Sequence, residues 1–252
     1  MIHFVGAGSG AADLITVRGA KLLNEADVVI YAGSLVNPEL LRQTRTDAVI
    51  FDSAKMTLEE VIGQMLAAES EGKTTVRLHT GDPCVYGAIQ EQIDILKREH
   101  IAFDLCPGVS SFCGAAAALE AEYTLPGVSQ SVVITRMEGR TPVPEREKIA
   151  SWAAHGATMV IFLSSGMTDK LQKQLLEGGY EADTPAAIVY KATWPDQKVV
   201  HCTVGSLAAA AQENGIKNLA LITVGYFLQS DYQRSKLYDP QFTTLFRQGN
   251  QQ

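Results

Sequence analysis

Three short stretches hold the residues from which a ligand site could be built. Gly6, Gly8 and Ala11 fit G-x-G-x-x-[GA]. Gly81-Asp82-Pro83-Cys84-Val85-Tyr86-Gly87 sets an acid between two glycines and a proline. Pro107-Gly108-Val109-Ser110-Ser111 ends in two hydroxyls. Glycine lets a ligand or another backbone approach closely, and proline fixes one φ angle and stiffens its loop. Asp82 can accept from ligand hydroxyl or amino groups or cap a helix, and Ser110 and Ser111 can cap the helix that follows or leave room for a ligand. This is the chemistry of holding a small molecule. Metal chemistry has no support: no H-E-x-x-H or similar spacing occurs among the five histidines, and none of Cys84, Cys106, Cys113 and Cys202 forms a C-x-x-C pair, so the cysteines read as reduced thiols.

The elements that position these stretches alternate. Strand-like runs fall near 2–5, 28–31, 48–51, 75–79 and 103–106, with helical patterns between most of them. A helix begins after Thr57, where Leu58, Val61, Ile62, Met65 and Leu66 share one face, Thr57 and Glu60 form a capping box, and Gly72 follows its end. A second set of strands is expected near 131–135, 158–163, 186–190, 199–203 and 219–224, with helices near 146–154, 168–176 and 206–213. The order predicts an α/β protein of two α/β domains with mostly parallel five-stranded sheets. Residues 1–114 form the first domain, 115–124 a linker, 125–238 the second domain and 239–252 a tail. The connection between 190 and 199 is too short for a helical crossover, so an antiparallel edge is expected there. All three loops leave the C-terminal ends of strands, where open α/β sheets bind ligands.

The first loop invites a dinucleotide reading and resists it. The amphipathic helix begins near Thr16, far beyond the third small residue of the fingerprint. The second strand ends in Tyr31 and Ala32, where a ribose-binding acid should stand. An NAD(P)-dependent oxidoreductase is therefore a competing reading, as is a ligand-binding protein without catalysis.

Other classes are disfavoured by composition. With 46% hydrophobic and 19% charged residues over 252, the chain is ordinary globular material. Its net charge of −7 and lack of basic runs argue against nucleic acid. No apolar run reaches the ~20 residues of a membrane span. The sequence opens directly into a strand-like run with no signal-peptide pattern, so a cytoplasmic location is expected.

Taken in order, the stretches 5–16, 81–87 and 107–111 resemble the V-G-A-G-P-G-D-P-E-L-L-T, G-D-P-x-x-Y-G and P-G-[VI]-[ST]-[SA] motifs of the tetrapyrrole (corrin/porphyrin) methylase family, and the likeness runs from about residue 2 to residue 230. Within the family, the stretch Val29-Ile-Tyr-Ala-Gly-Ser-Leu-Val-Asn37 resembles the Y-A-G-S-L-[VI] segment of the subgroup acting at carbon 11 of the ring. The first motif departs from the pattern: Ser9, Ala11, Ala12 and Asp13 stand where Pro, Asp, Pro and Glu are usual.

The resemblance implies two α/β domains with the active site in a cleft between them, a homodimer, and S-adenosyl-L-methionine as methyl donor, leaving S-adenosyl-L-homocysteine. The implied reaction is methylation of carbon 11 of precorrin-4 or cobalt-precorrin-4 on the way to cobalamin. Relatives that methylate other tetrapyrrole carbons, or the histidine-derived residue of elongation factor 2, supply the alternatives. By position, the donor's contacts would be Ala12, Gly81, Asp82, Val85, Tyr86, Ser110, Ser111, Leu163 and Ala192. The acceptor is a polycarboxylated macrocycle, so Arg18, Arg136, Arg140 and Lys191 are candidates for its carboxylates, and Tyr31, Phe112, Met137 and Trp194 for its flat face. For each of these, surface charge or core packing competes. No catalytic base can be named; Asp82, Tyr86 and Glu122 are candidates.

Overall fold

The computed structural model describes residues 1–229 and 231–250. Two compact units emerge: Met1–Ala115 together with Lys191–Gln197, and Ala116–Tyr190 together with Lys198–Gln252.

In the first unit, strands β1 (Ile2–Gly6), β2 (Val28–Tyr31), β3 (Val49–Asp52), β4 (Thr75–His79) and β5 (Phe103–Cys106) form one sheet in the order β3-β2-β4-β1-β5. Every neighbouring pair is parallel. Crossovers include α1 (Val17–Glu25), α2 (Leu58–Ser70) and α3 (Gln90–Arg98); α4 (Ser111–Ala118) follows β5. Thr16 caps α1 by accepting from the Gly19 N–H. Thr57 and Glu60 close the expected capping box on α2.

Both faces of this sheet are covered, as a parallel sheet requires. Ile2, Phe4, Val28 and Ile30 pack under α2 and α3, while Val5, Val29, Val76 and Leu78 pack with Leu23 of α1. Burying each large side chain of this kind contributes roughly 1.5–3 kcal/mol. The central strand carries polar residues on the α2/α3 face. Arg77 donates to Gln92 Oε1 at 3.3 Å and to the Ile30 carbonyl at 3.0 Å. Burial pulls this guanidinium down to about 10. His79, stacked on Phe4, is pushed down to about 3 by burial and by the Arg77 charge, and its Nε2 has no partner among the described residues.

The second unit orders its strands β6-β7-β10-β8-β9, with β6 (Val132–Arg136), β7 (Thr158–Phe162), β8 (Pro185–Tyr190), β9 (Lys198–Thr203) and β10 (Ala220–Val224). Here the pairing is mixed. Only β6 and β7 pair in parallel; β10 runs antiparallel to β7 and β8, and β8 to β9. The expectation of an antiparallel edge at 199–203 holds, and antiparallel pairing extends further inward than "mostly parallel" allows. The reason lies in the β8–β9 connection, which is too short for a crossover and reverses the chain. Strand β10 then follows β9 through α7 (Leu207–Glu213), keeps its direction, and inserts between β7 and β8. The helix expected over 146–154 is split: a 3-10 turn, Glu145–Glu147, precedes α5 (Ile149–Ala153), because Lys148 between them is extended. Helix α6 (Thr168–Glu177) supplies Leu171 and Leu175 to the core with Met159, Ile161, Ile188 and Ile222. No helix among the described residues is long and apolar enough to cross a membrane.

Candidate functional site

Because all five strands of the first sheet point the same way, the loops after β1, β4 and β5 leave one edge, and they meet there. Gly8 and Gly81 exchange backbone hydrogen bonds, N–H to O=C, at 3.3 and 2.9 Å. The Ala7 N–H donates to the His79 carbonyl at 2.7 Å. A Cβ on Gly6 would lie 2.5 Å from Gly108 Cα and 2.6 Å from the Gly81 oxygen, and one on Gly108 would lie 2.7 Å from Gly6 Cα. Those glycines are therefore required by backbone contact between the loops themselves. Gly81 sits at φ +60, where a side chain is disfavoured.

Asp82 ties the second loop to the third. One carboxylate oxygen accepts from the Cys84 N–H at 2.7 Å and the other from the Gly108 N–H at 2.8 Å. Charge-assisted bonds of this type are stronger than neutral ones. Both oxygens are engaged with backbone, so the geometry makes Asp82 a brace between loops. Val85 closes the turn by donating to the Asp82 carbonyl at 3.2 Å. Tyr86, at φ +57 and 45% exposed, follows at the rim. Ser110 is buried and Ser111 opens α4. The first N–H groups of a helix have no intrahelical acceptor, and here the Cys113 N–H donates back to the Ser110 carbonyl at 3.0 Å.

The first loop is longer than a dinucleotide fingerprint permits. A 3-10 turn at Ala12–Leu14 precedes α1, which begins at Val17. Ala12 packs against the α1-side core.

The other expected residues fall in both units. Ala192 is buried in the first unit, between Lys191 and Thr193, both at positive φ. Leu163, in the second unit, directly follows β7 at φ +52 and is 62% exposed. Arg18 and Arg140 are exposed, and Tyr31 and Phe112 are half-buried. Lys191 is ion-paired with Asp196 at 2.7 Å and lies 5.3 Å from the centre of the Trp194 ring.

Two residues expected against the macrocycle have partners within the second unit. Met137 is 2% exposed and packs in the second unit's core, so its surface is already covered. Arg136 donates to the carbonyls of Met137, Thr141 and Pro142, the last at 2.8 Å, and so braces its own loop. Glu122 is exposed and accepts from the Thr124 hydroxyl at 3.2 Å.

Asn37 escaped the sequence reading. It is buried, its Nδ2 donates to the Gly10 carbonyl at 2.9 Å, and its Oδ1 caps the following turn. Only its place before Pro38 hinted at the cap; the link to Gly10 spans 27 residues and leaves no local pattern. Among the described residues no cluster of His, Cys, Asp or Glu could hold a metal ion.

A parallel sheet whose loops lock glycine against glycine, with a carboxylate bridge between the second and third loops, defines an open α/β protein with three loops gathered at one sheet edge. The chain belongs to the tetrapyrrole (corrin/porphyrin) methylases, whose family model matches residues 1–208. It is 51% identical, over 99% of its own length and 96% of the relative's, to a protein of Methanocaldococcus jannaschii named cobalt-precorrin-4 C(11)-methyltransferase. The crystal structure of a cobalt precorrin-4 methyltransferase of cobalamin biosynthesis superposes with a TM-score of 0.89 at 50% identity, covering 91% of this chain and 96% of the other. The uroporphyrin-III C-methyltransferase of Thermus thermophilus, solved with S-adenosyl homocysteine, superposes with a TM-score of 0.77 at 25% identity, covering 90% and 98%.

Proposed function

We propose that the protein transfers the methyl group of S-adenosylmethionine to carbon 11 of a precorrin-4 macrocycle, with the cobalt-bearing form as substrate. The observation that carries this reading is the interlock of the three loops around Gly6, Gly81 and Gly108, in a chain half identical to a carbon-11 methylase. The oxidoreductase reading loses its support, because the first loop does not turn directly into a helix and β2 ends in Tyr31 without an acid.

The donor set suits a nucleoside with an amino-acid tail. Backbone groups near Ala12, Gly81, Val85 and Tyr86, the hydroxyls of Ser110 and Ser111, and the apolar surfaces of Leu163 and Ala192 would hold it. Asp82 contributes by fixing the loops that carry these groups. When bound, the sulfonium supplies an activated methyl group, so the chain need provide neither nucleophile nor metal. Its residues orient the donor and keep water away; such positioning can lower a barrier by roughly 7–11 kcal/mol in favourable cases. Arg18, Tyr31 and Phe112 are the remaining candidates for holding the macrocycle. The reading extends to a homodimer acting in the cytoplasm, supported by the family likeness.

The test is turnover with defined acceptors. Purified protein given 13C-methyl donor should add one methyl to cobalt-precorrin-4, and carbon NMR should place it at carbon 11. Turnover of metal-free precorrin-4 alone would correct the substrate form. A methyl at another carbon, or tight NAD(P) binding without S-adenosylhomocysteine binding, would overturn the reading.

A further inference from the structure

The connection Lys191–Gln197 packs as part of the first unit, and one residue in it is held against its own preference. Thr193 sits at φ +69. A β-branched residue in the left-handed region is a true outlier and persists only where its surroundings enforce it. Three contacts do so. Thr193 Oγ1 accepts from the Ala11 N–H at 3.0 Å and pairs with Ser9 Oγ at 3.2 Å. The Thr193 N–H donates to Gln197 Oε1 at 2.6 Å. Gly114 of α4 leaves the space this pair occupies: a Cβ there would lie 2.8 Å from Ser9 Cβ and 3.2 Å from Thr193 Cγ2. Alongside, the Trp194 ring covers Gly10, where a Cβ would stand 2.5 Å from the indole nitrogen.

We infer that Thr193 is a positioning residue for methyl transfer: its hydroxyl latches the tip of the first glycine loop to the segment bearing Ala192. The strained backbone aims the hydroxyl at Ala11 and Ser9 while Ala192 stays buried beside it. The latch joins two chain segments some 180 residues apart that the donor site needs in one register. Asn37 holds the same tip from the other side through the Gly10 carbonyl. Thr193 itself touches no reacting atom. The inference rests on the donor site proposed above, so its test includes a measurement independent of that site.

The measurements are amide hydrogen exchange across residues 9–11, S-adenosylhomocysteine affinity by calorimetry, and kcat and KM for the donor. Thr193→Val keeps the shape and removes the hydroxyl; Thr193→Ser keeps the hydroxyl; Ser9→Ala removes one arm of the pair. In Thr193→Val, exchange at Ala11 should speed up, and affinity should fall about fivefold to tenfold, the scale of one lost hydrogen bond. The loss should appear in donor KM more than in kcat. Thr193→Ser should stay within about twofold of the parent, and Ser9→Ala should fall between the two. Should Thr193→Val fail to fold, the Ser9→Ala and Thr193→Ser pair carries the same comparison. Unchanged exchange and affinity on loss of the hydroxyl, or a serine variant as impaired as the valine, would overturn the latch. If the parent protein binds no S-adenosylhomocysteine, the donor site fails, while the exchange data still decide whether the hydroxyl holds the loop.

Discussion

The two sheets have the same number of strands and treat their loops differently. In the first, five parallel strands send every strand-to-helix loop to one edge, and three of those loops interlock so tightly that backbone meets backbone at Gly6, Gly81 and Gly108. In the second, β9 and β10 run against β6, β7 and β8, so the loops are divided between opposite edges. What stands at the end of β7 is a single exposed side chain, Leu163, and not a nest of glycines. Strand direction alone thus decides which sheet can gather a backbone-lined site. The buried polar residues differ in kind: the first unit buries the cation Arg77 and the imidazole of His79 on its central strand, while the second unit buries hydroxyl residues such as Thr158, Ser164 and Thr223.

The largest way to break the contrast is Gly108→Ala. The new Cβ would collide with Gly6 Cα at 2.7 Å and with the Gly81 carbonyl, none of which can move without parting the loops. Binding of S-adenosylhomocysteine should be lost by calorimetry, at least about a hundredfold, equivalent to ~3 kcal/mol. A matching crowded site in the second unit is Gly178, where a Cβ would fall 2.5 Å from the Ala150 carbonyl. Gly178→Ala should lower stability and leave the affinity of the folded fraction intact. Equal loss of binding in both would erase the distinction between the units.

Next in size is Met137→Ala. Met137 is fully enclosed in the second core, and its N–H donates to Ser164 Oγ at 2.9 Å. Removing the side chain should cost about 2–5 kcal/mol in denaturant unfolding, the range for large-to-small core changes. The donor KM should not move. A change in acceptor KM without loss of stability would return Met137 to the macrocycle's contacts.

Most of the fold was legible because both periodicities were clean. The strands 28–31, 75–79 and 103–106 match those observed, and the Thr57–Glu60 box and the start near Thr16 mark α2 and α1 correctly. The pairing sense of β10 was not legible: an apolar run of β-branched residues reads the same in either direction, and only the global threading reverses it. At the site, local motifs announced Gly81, Asp82, Ser110 and Ser111. The motif could not tell that one Asp82 oxygen binds backbone 26 residues away, or that Asn37 and Thr193 hold the first loop. Those are tertiary bonds, and no spacing rule encodes them. Ser9 stands where the family's opening motif commonly has proline, and its side chain makes a bond that ties the loop down.

A smaller effect separates the two interiors by pH. His79 keeps its proton only below about 3 in the folded chain, since burial and the Arg77 charge oppose protonation. In the unfolded chain it protonates near the ordinary value of about 6.5. Between those values the unfolded state binds the extra proton, so stability present above about 6.5 is lost as pH falls toward 3. The slope from this residue approaches ~1.4 kcal/mol per pH unit. His79→Gln removes it, so the parent should lose stability faster than the variant in urea titrations between about pH 6 and pH 4. Parallel curves would mean that His79 is solvated or partnered in solution.

The smallest effect tests Leu163 against Gly81. Both stand at strand ends with similar positive φ, +52 and +60, yet only one is glycine. A non-glycine residue there costs roughly 1 kcal/mol. Leu163→Gly relieves that strain but loosens the unfolded chain, which offsets part of the gain. The net change in stability should therefore stay within about 1 kcal/mol. An exposed leucine kept in a strained position at no profit to folding needs another reason to be leucine, and contact with the donor supplies one. Affinity for S-adenosylhomocysteine should then fall by about threefold to tenfold as the apolar contact is lost. If affinity holds while stability drops by several kcal/mol, Leu163 is a packing residue and not a donor contact.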